Sequence, residues 1–338
     1  MPAVPVPWGG RTTTTAPSGL RPCEDFLERV VLAPRPDSHA RSTKTEVIVD
    51  SVAIAPEIGA RISGVRLDQL KPGEFDEIMR VLLDRHVVCI EGQDAIDPDA
   101  HVAFAARLGD IEPYPFGKPL DGHPGVFRII KEKDSTSNFG GVWHTDSPYH
   151  EIPPAYTVLR GVDIPSGGGD TLVASMCAAY DALPGEVKDR IDGLDGIFTA
   201  SKVHGSGGPR FAIGDVQRVD DGERADQVFR HPLVRTHPLT GRKGLYVSAC
   251  HMTGVVGLPD TEAAELIDEL SQQIIDPRFV GRVRWEPGLV VVIDNRCVQH
   301  HALNDYHGQR REIHRVLVSD GMTPSREWQE GEVRALSH

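Results

Sequence analysis

Two short motifs, far apart in the chain, place the strongest constraint on how it can fold. The first is Trp143-His144-Thr145-Asp146 and the second is Asp294-Asn295-Arg296-Cys297-Val298-Gln299-His300. Alternation in a strand puts residues i and i+2 on one face, so His144 and Asp146 can address one ion from a single strand end. A remote histidine would complete two imidazoles and a carboxylate, the facial triad that leaves positions on Fe(II) open for a co-substrate and O₂. The fold must then bring two distant strand ends together. Downstream, Trp285-Glu286-Pro287-Gly288 reads as a turn, and Leu289 to Ile293 as a buried strand that delivers Asp294, Asn295, Arg296 and then His300-His301. Composition leaves open which of His300 and His301 is the ligand, because adjacent strand residues face opposite ways. A His-x-Asp tripeptide alone is also satisfied by a structural histidine beside a capping aspartate. His307 and His314 read as surface residues or as neighbours outside the ligand set.

Arg311 and Arg315 follow within Gln309-Arg310-Arg311-Glu312-Ile313-His314-Arg315-Val316. In a strand, Arg311, Ile313 and Arg315 share one face, and an inward arginine needs an anion to offset its burial. The guanidinium suits bidentate recognition of a carboxylate. A solvated basic stripe on an edge strand is the plainer alternative, and the isoleucine between the two arginines argues against it.

Most other elements read as short strands broken by Gly and Pro turns. Thr45 to Val49, Ala60 to Val65, Val87 to Ile90, Gly125 to Ile130, Ala155 to Asp163 and Gly244 to Ser248 are examples. Helical spacing predicts helices over Asp76 to His86, over Pro98 to Leu108 with Asp97 as N-cap, over Ala178 to Ile191 with a break at Pro184, and over Thr261 to Ile275. Many short strands with a few helices point to a mostly β fold with flanking helices, a β-sandwich or jelly roll rather than a βαβ repeat. No G-x-G-x-x-G follows a strand, and there is no P-loop. Residues 1–44, rich in Pro, Thr, Ser, Arg and Gly, read as a loosely ordered extension ahead of one domain over 45–325. Residues 205–227 read as a long loop, either a lid or a plain surface excursion.

A net charge of -13 argues against a nucleic-acid or membrane-surface binder, since phosphate neutralisation needs clustered Lys and Arg. It is compatible with a local basic pocket for a small anion. Five scattered cysteines without a C-x-x-C pair fit a reducing, cytoplasmic setting. No signal peptide or membrane span is expected.

With the ligand motifs, further segments resemble the taurine/2-oxoglutarate dioxygenase (TauD/TfdA) family of Fe(II)-dependent oxygenases, from about Val47 to Asp320. Ile58-Gly59-Ala60-Arg61-Ile62-Ser63-Gly64-Val65 resembles its opening hairpin, and Ser166-Gly167-Gly168-Gly169-Asp170-Thr171 the loop that places a co-substrate-binding threonine. Leu233-Val234-Arg235-Thr236-His237-Pro238 and the run from Asp294 through Arg315 are similar to later family segments. The resemblance implies a double-stranded β-helix, that is, a jelly roll with flanking helices. It implies His144, Asp146 and His300 as ligands of Fe(II), Thr171 and Arg311 on the distal carboxylate of 2-oxoglutarate, and Arg315 near its metal-chelating end. The implied activity is hydroxylation or desaturation of a C–H bond with O₂, releasing succinate and CO₂. Related halogenases lack the carboxylate that Asp146 supplies, which argues against halogenation.

The substrate side departs from the taurine pattern. Tyr114 stands where taurine enzymes place a histidine for the sulfonate. Gly140 or Gly141 replaces an asparagine, and His251 replaces an aromatic expected after Leu245-Tyr246-Val247. These departures argue against taurine and leave a small, anionic organic substrate, with Tyr114, His204 and His251 as candidate contacts; packing or surface roles are the alternative. The family commonly forms homo-oligomers, dimers or tetramers. A metal-dependent hydrolase using the same ligands around Zn(II), another biosynthetic oxidation on the same fold, and a non-catalytic binder are the competing readings.

Overall fold

Val87-Val88-Cys89-Ile90 and Val290-Val291-Val292-Ile293 are apolar at every position because both of their faces are covered. A computed structural model of the chain describes residues 49–205 and 222–328. In it the two runs pair antiparallel, Ile90 opposite Val290 and Val87 opposite Ile293. Val87, Cys89, Val291 and Ile293 enter an inner layer with Leu159 and Ile313. Val88, Ile90, Val290 and Val292 enter an outer one with Ile78, Leu82 and Phe104.

Both runs belong to a nine-stranded mixed sheet. Its order is Asp50–Ala53, Ala60–Ser63, Val87–Ile90, Val290–Asp294, Tyr156–Asp163, Arg311–Ser319, His123–Lys131 and Pro119–Leu120, with Asp110–Glu112 beside Arg311–Ser319. The pairing of Ala60–Ser63 with Val87–Ile90 is parallel, bridged by the helix Glu74–Arg85. A three-stranded sheet, Val280–Val283, Thr171–Ser175 and Val298–Ala302, packs against the inner face through Val173, Val283 and Val298. Together the two sheets form the expected jelly roll, and Thr171, His300 and Arg311 lie on their strands.

Helices cover the outer face of the large sheet. Glu74–Arg85 buries Phe75, Ile78, Met79 and Leu82, and ends where His86 takes φ 64° and donates its N–H to Leu82 O. Pro98–Ala105 starts behind Asp97, whose carboxylate accepts from Ala100 N at 2.8 Å. A second apolar cluster joins the helices Met176–Asp181 and Asp260–Ile274 to Asp195–Thr199 and Met252–Val255.

Several expectations shift. The first described strand is Asp50–Ala53, and most of Thr45 to Val49 lies outside the described residues, as does the 1–44 extension. The second predicted helix stops at Ala105, and the strand at Gly244 to Ser248 shortens to Lys243–Leu245. Of the predicted 205–227 loop, 206–221 lie outside the described residues, and Gly222–Ala225 is a helical turn. His314 is buried and bonded to Glu312 at 2.9 Å, which overturns a place at the surface. Among the described residues, no helix is long and apolar enough to cross a membrane.

Burial makes stability depend on pH. His86, His101 and His231 are almost fully enclosed, and burial pushes their imidazoles down from 6.5 to about 3, about 3 and about 4. The folded protein keeps these rings neutral where the unfolded chain protonates them. Below pH 6.5 the unfolded state therefore binds more protons, and stability falls as pH falls toward 4. Three such protons set an upper slope of about 4 kcal/mol per pH unit. The midpoint of urea denaturation is expected to drop across this range; a flat profile would contradict the burial argument.

Candidate active site

His144 and His300 meet through a single antiparallel bridge. His144 N donates to His300 O at 3.1 Å and His300 N donates to His144 O at 2.7 Å. The bridge sets their ring centroids 4.1 Å apart. No regular strand runs through His144 and Asp146, contrary to expectation. The chain turns immediately afterwards, at Ser147 with φ 47°. Asp146 still faces both rings, with Oδ1 3.8 Å from His144 Nε2 and Oδ2 4.0 Å from His300 Nε2. One donor atom from each of the three lies within 4.8 Å of the others, and all three residues are buried. His301 is outside this group, its ring edge-on to Trp143 at 5.5 Å.

Surrounding groups orient these donors. His144 Nδ1–H donates to Val142 O at 2.7 Å, so Nε2 presents its lone pair toward Asp146. Thr157 Oγ1 donates to Asp146 Oδ2 at 2.6 Å, and Asn295 Nδ2 donates to Thr157 Oγ1 at 2.8 Å. Arg315 Nη1 donates to Asp146 Oδ1 at 2.8 Å. Burial alone would raise the Asp146 carboxyl, but the Arg315 guanidinium, with the hydrogen bond from Thr157, holds it well below the usual range. Burial lowers His300 to about 3 and moves His144 the same way, keeping both rings in the neutral form that binds metals. Two neutral imidazoles and an ionised carboxylate suit a divalent first-row metal.

Arg311, Ile313 and Arg315 share the inner face of their strand, as the alternation predicts. Arg315 lies under the rings of Tyr114 at 4.3 Å, Phe127 at 5.0 Å and Phe139 at 5.3 Å, and its Nε and Nη2 have no hydrogen-bond partner among the described residues. Arg311 sits 5.5 Å from the Trp285 ring and 5.9 Å from that of Tyr306, with Nε likewise unpartnered. Thr171 is buried at the start of its strand, where its hydroxyl accepts from Trp285 Nε1 at 2.9 Å. The preceding loop needs glycine. At Gly169, φ is +74°, and a Cβ would come within 3.2 Å of Tyr306 and 3.3 Å of Arg311.

Two cavities flank the triad. A narrow one of about 30 Å³ is lined by Thr171, Trp285, His300, Arg311 and Arg315. A wider one of about 250 Å³ is lined by Tyr114, Tyr149, His204, His251, Asp146 and Arg315. Phe139, Gly140, His144 and Arg315 line both, so the cavities meet beside His144. Tyr114 Oη lies 3.0 Å from His204 Nε2, and His204 stacks on Phe116 at 4.3 Å. His251 Nδ1 lies 3.1 Å from Ser248 Oγ. All three candidate substrate residues thus face one space. Sequence reasoning missed Thr157, Tyr149, Trp285 and Tyr306; for Thr157, period-2 alternation through Ala155 to Asp163 was the available signal.

Beneath the triad, Arg296 ties the downstream motif to the large sheet. It donates to Asp294 through Nε at 2.8 Å and Nη2 at 2.6 Å, and to Asp320 and Tyr156 at 2.9 and 2.5 Å. His237 Nε2–H adds a bond to Asp294 at 3.0 Å.

Comparison with known proteins gives consistent matches. The profile of the taurine catabolism dioxygenase TauD, TfdA family matches residues 50–317. The alpha-ketoglutarate-dependent 2,4-dichlorophenoxyacetate dioxygenase of Cupriavidus pinatubonensis is 32% identical over 284 residues, covering 78% of this chain and 96% of its own. An alkylsulfatase of Acinetobacter baylyi is 31% identical over 274 residues, 79% of this chain and 83% of its own. The crystal structure of a taurine dioxygenase from Burkholderia xenovorans superposes with a TM-score of 0.68 at 30% identity, covering 85% of this chain and 98% of that one. With a profile match over most of its length and relatives of this identity and coverage, the chain belongs to the TauD/TfdA family of dioxygenases.

Proposed function

We propose that this chain is an Fe(II)- and 2-oxoglutarate-dependent dioxygenase that hydroxylates or desaturates a C–H bond of a small anionic organic molecule. The observation that carries this reading is the placement of the His144, Asp146 and His300 donors where two cavities meet, one of them ending on the buried Arg311. In this reading His144, Asp146 and His300 hold the iron. Thr171 and Arg311 bind the distal carboxylate of 2-oxoglutarate, which the unpartnered Nε of Arg311 supports. Arg315 stands by the chelating end and also fixes Asp146. For hydroxylation, iron and 2-oxoglutarate supply the overall conversion of substrate C–H, 2-oxoglutarate and O₂ into alcohol, succinate and CO₂. Tyr114, His204 and His251 orient the substrate in the wider cavity, and the aromatic walls keep water from the reacting carbon.

Named relatives support the anionic substrate class: they include enzymes of 2,4-dichlorophenoxyacetate, sulfonates and sulfate esters. The scattered free cysteines fit a cytoplasmic location, and the family resemblance supports a homo-oligomer. The test is succinate formation from 2-oxoglutarate with Fe(II), O₂ and a panel of alkyl sulfates, sulfonates and aryloxyacetates. Substrate-stimulated succinate is expected from at least one class and from none without O₂. Product formation that persists without O₂ and 2-oxoglutarate would instead favour the hydrolase reading.

A further inference from the structure

The strand His123–Lys131 runs antiparallel beside Arg311–Ser319, and three cross-strand pairs are in register: Phe127 with Arg315, Ile129 with Ile313, and Lys131 with Arg311. Directly opposed residues share a face, so the pair that ends the row places two cations side by side on the inner face. Lys131 is only 2% exposed, and its Nζ has no hydrogen-bond partner among the described residues. That Nζ lies 4.3 Å from the centroid of the Tyr306 ring, the same ring that Arg311 approaches at 5.9 Å. The acid whose charge reaches Arg311 is Asp170, and it is bonded to Arg282 Nε at 2.6 Å. Among the described residues neither of these neighbouring buried cations has a carboxylate of its own, so they repel each other and carry an unrelieved desolvation cost. An anion of the ligand is what would relieve both.

We propose that Lys131 is a positioning residue for the distal carboxylate of the 2-oxo acid, a second positive charge beside Arg311, and that it makes the pocket prefer dicarboxylic over monocarboxylic 2-oxo acids. The proposal rests on the reading of Arg311 and Thr171 given above. Lys131 does not line the narrow cavity, so it acts through the field at its end and through the Tyr306 ring, which also touches Arg311. Its contribution is to ligand selection and affinity.

The test is calorimetric binding of 2-oxoglutarate and of 2-oxovalerate, which has the same chain length and no distal carboxylate. Both are titrated anaerobically into the Fe(II)-loaded parent, Lys131→Met, Lys131→Arg and Arg311→Met proteins. Lys131→Met is expected to weaken 2-oxoglutarate by about tenfold while leaving 2-oxovalerate unchanged, with Lys131→Arg restoring most of the loss. The metal-free Lys131→Met protein is also expected to melt above the parent, because an unpaired buried cation is gone; this checks folding independently of ligand. If Lys131→Met weakens both acids equally or neither, the proposal fails while the Arg311 assignment stands. If the preference for the dicarboxylate survives Arg311→Met, the assignment of that carboxylate to this pocket fails, and the proposal with it. Should Lys131→Met not fold, Lys131→Gln is read by the same criteria.

Discussion

Asp146→Ala is expected to abolish tight iron binding and, separately, to destabilise the metal-free protein. The first effect follows from losing the one anionic donor of the triad. Removing an outer partner of a metal ligand costs roughly 10–100-fold in affinity, and removing the ligand itself costs more. The second effect follows from Arg315, which is 3% exposed and bonds Asp146 at 2.8 Å. Alanine leaves that guanidinium enclosed by Tyr114, Phe127 and Phe139 with no counter-charge, an arrangement that costs about 3–5 kcal/mol when one partner of a buried pair is removed. Anaerobic Fe(II) titration reads the first effect and urea denaturation of metal-free protein the second. Parental iron affinity in Asp146→Ala would remove the triad assignment altogether. Thr157→Val is the graded control: it deletes one bond to Asp146 and should fall within the 10–100-fold range.

Arg296→Leu is expected to be the most damaging substitution outside the cavities. Asp294 is completely enclosed, and its carboxylate depends on Arg296 and His237. Burial alone would raise the Asp294 carboxyl, yet these two partners hold it far below the usual range. That stability is present above the ordinary carboxylate pKa and is lost as pH falls toward the depressed one, the same direction as the histidine effect. With Arg296 gone, a buried carboxylate keeps only a neutral imidazole, for a loss of about 3–5 kcal/mol. The damage reaches catalysis because the segment between Asp294 and His300 is short and leads into the strand Val298–Ala302. Denaturant midpoints of Arg296→Leu, Asp294→Asn and the double variant give the test. The double variant should recover part of the loss, and strictly additive losses would show that the two residues are not one unit.

The residues also show what was readable beforehand. Helix boundaries at Asp97 and His86 fell within a few residues because capping chemistry is local. The shared face of Arg311, Ile313 and Arg315 followed from strand alternation alone. The choice between His300 and His301 did not, since it depends on a bridge to His144 formed across the fold. Thr171 carries no signal apart from the family resemblance, because its partner, Trp285, comes from a distant turn. Lys131 gave no signal at all: only the register with Arg311 shows that it points inward. Asp146 does face His144 and His300, but from a different backbone than alternation implies, because the turn at Ser147 replaces a regular strand.

The strand Arg311–Ser319 carries the two arginines on one side, while Val316 and Val318 pack into the helix-covered layer on the other. A single inserted or deleted residue within it would exchange these roles, sending guanidinium groups into the apolar layer and valines toward the triad. A change of length within this strand is therefore expected to disturb the buried arginine face and the apolar layer together. A side-chain replacement at Tyr114 or His251 instead alters the wider cavity and leaves the strand register in place.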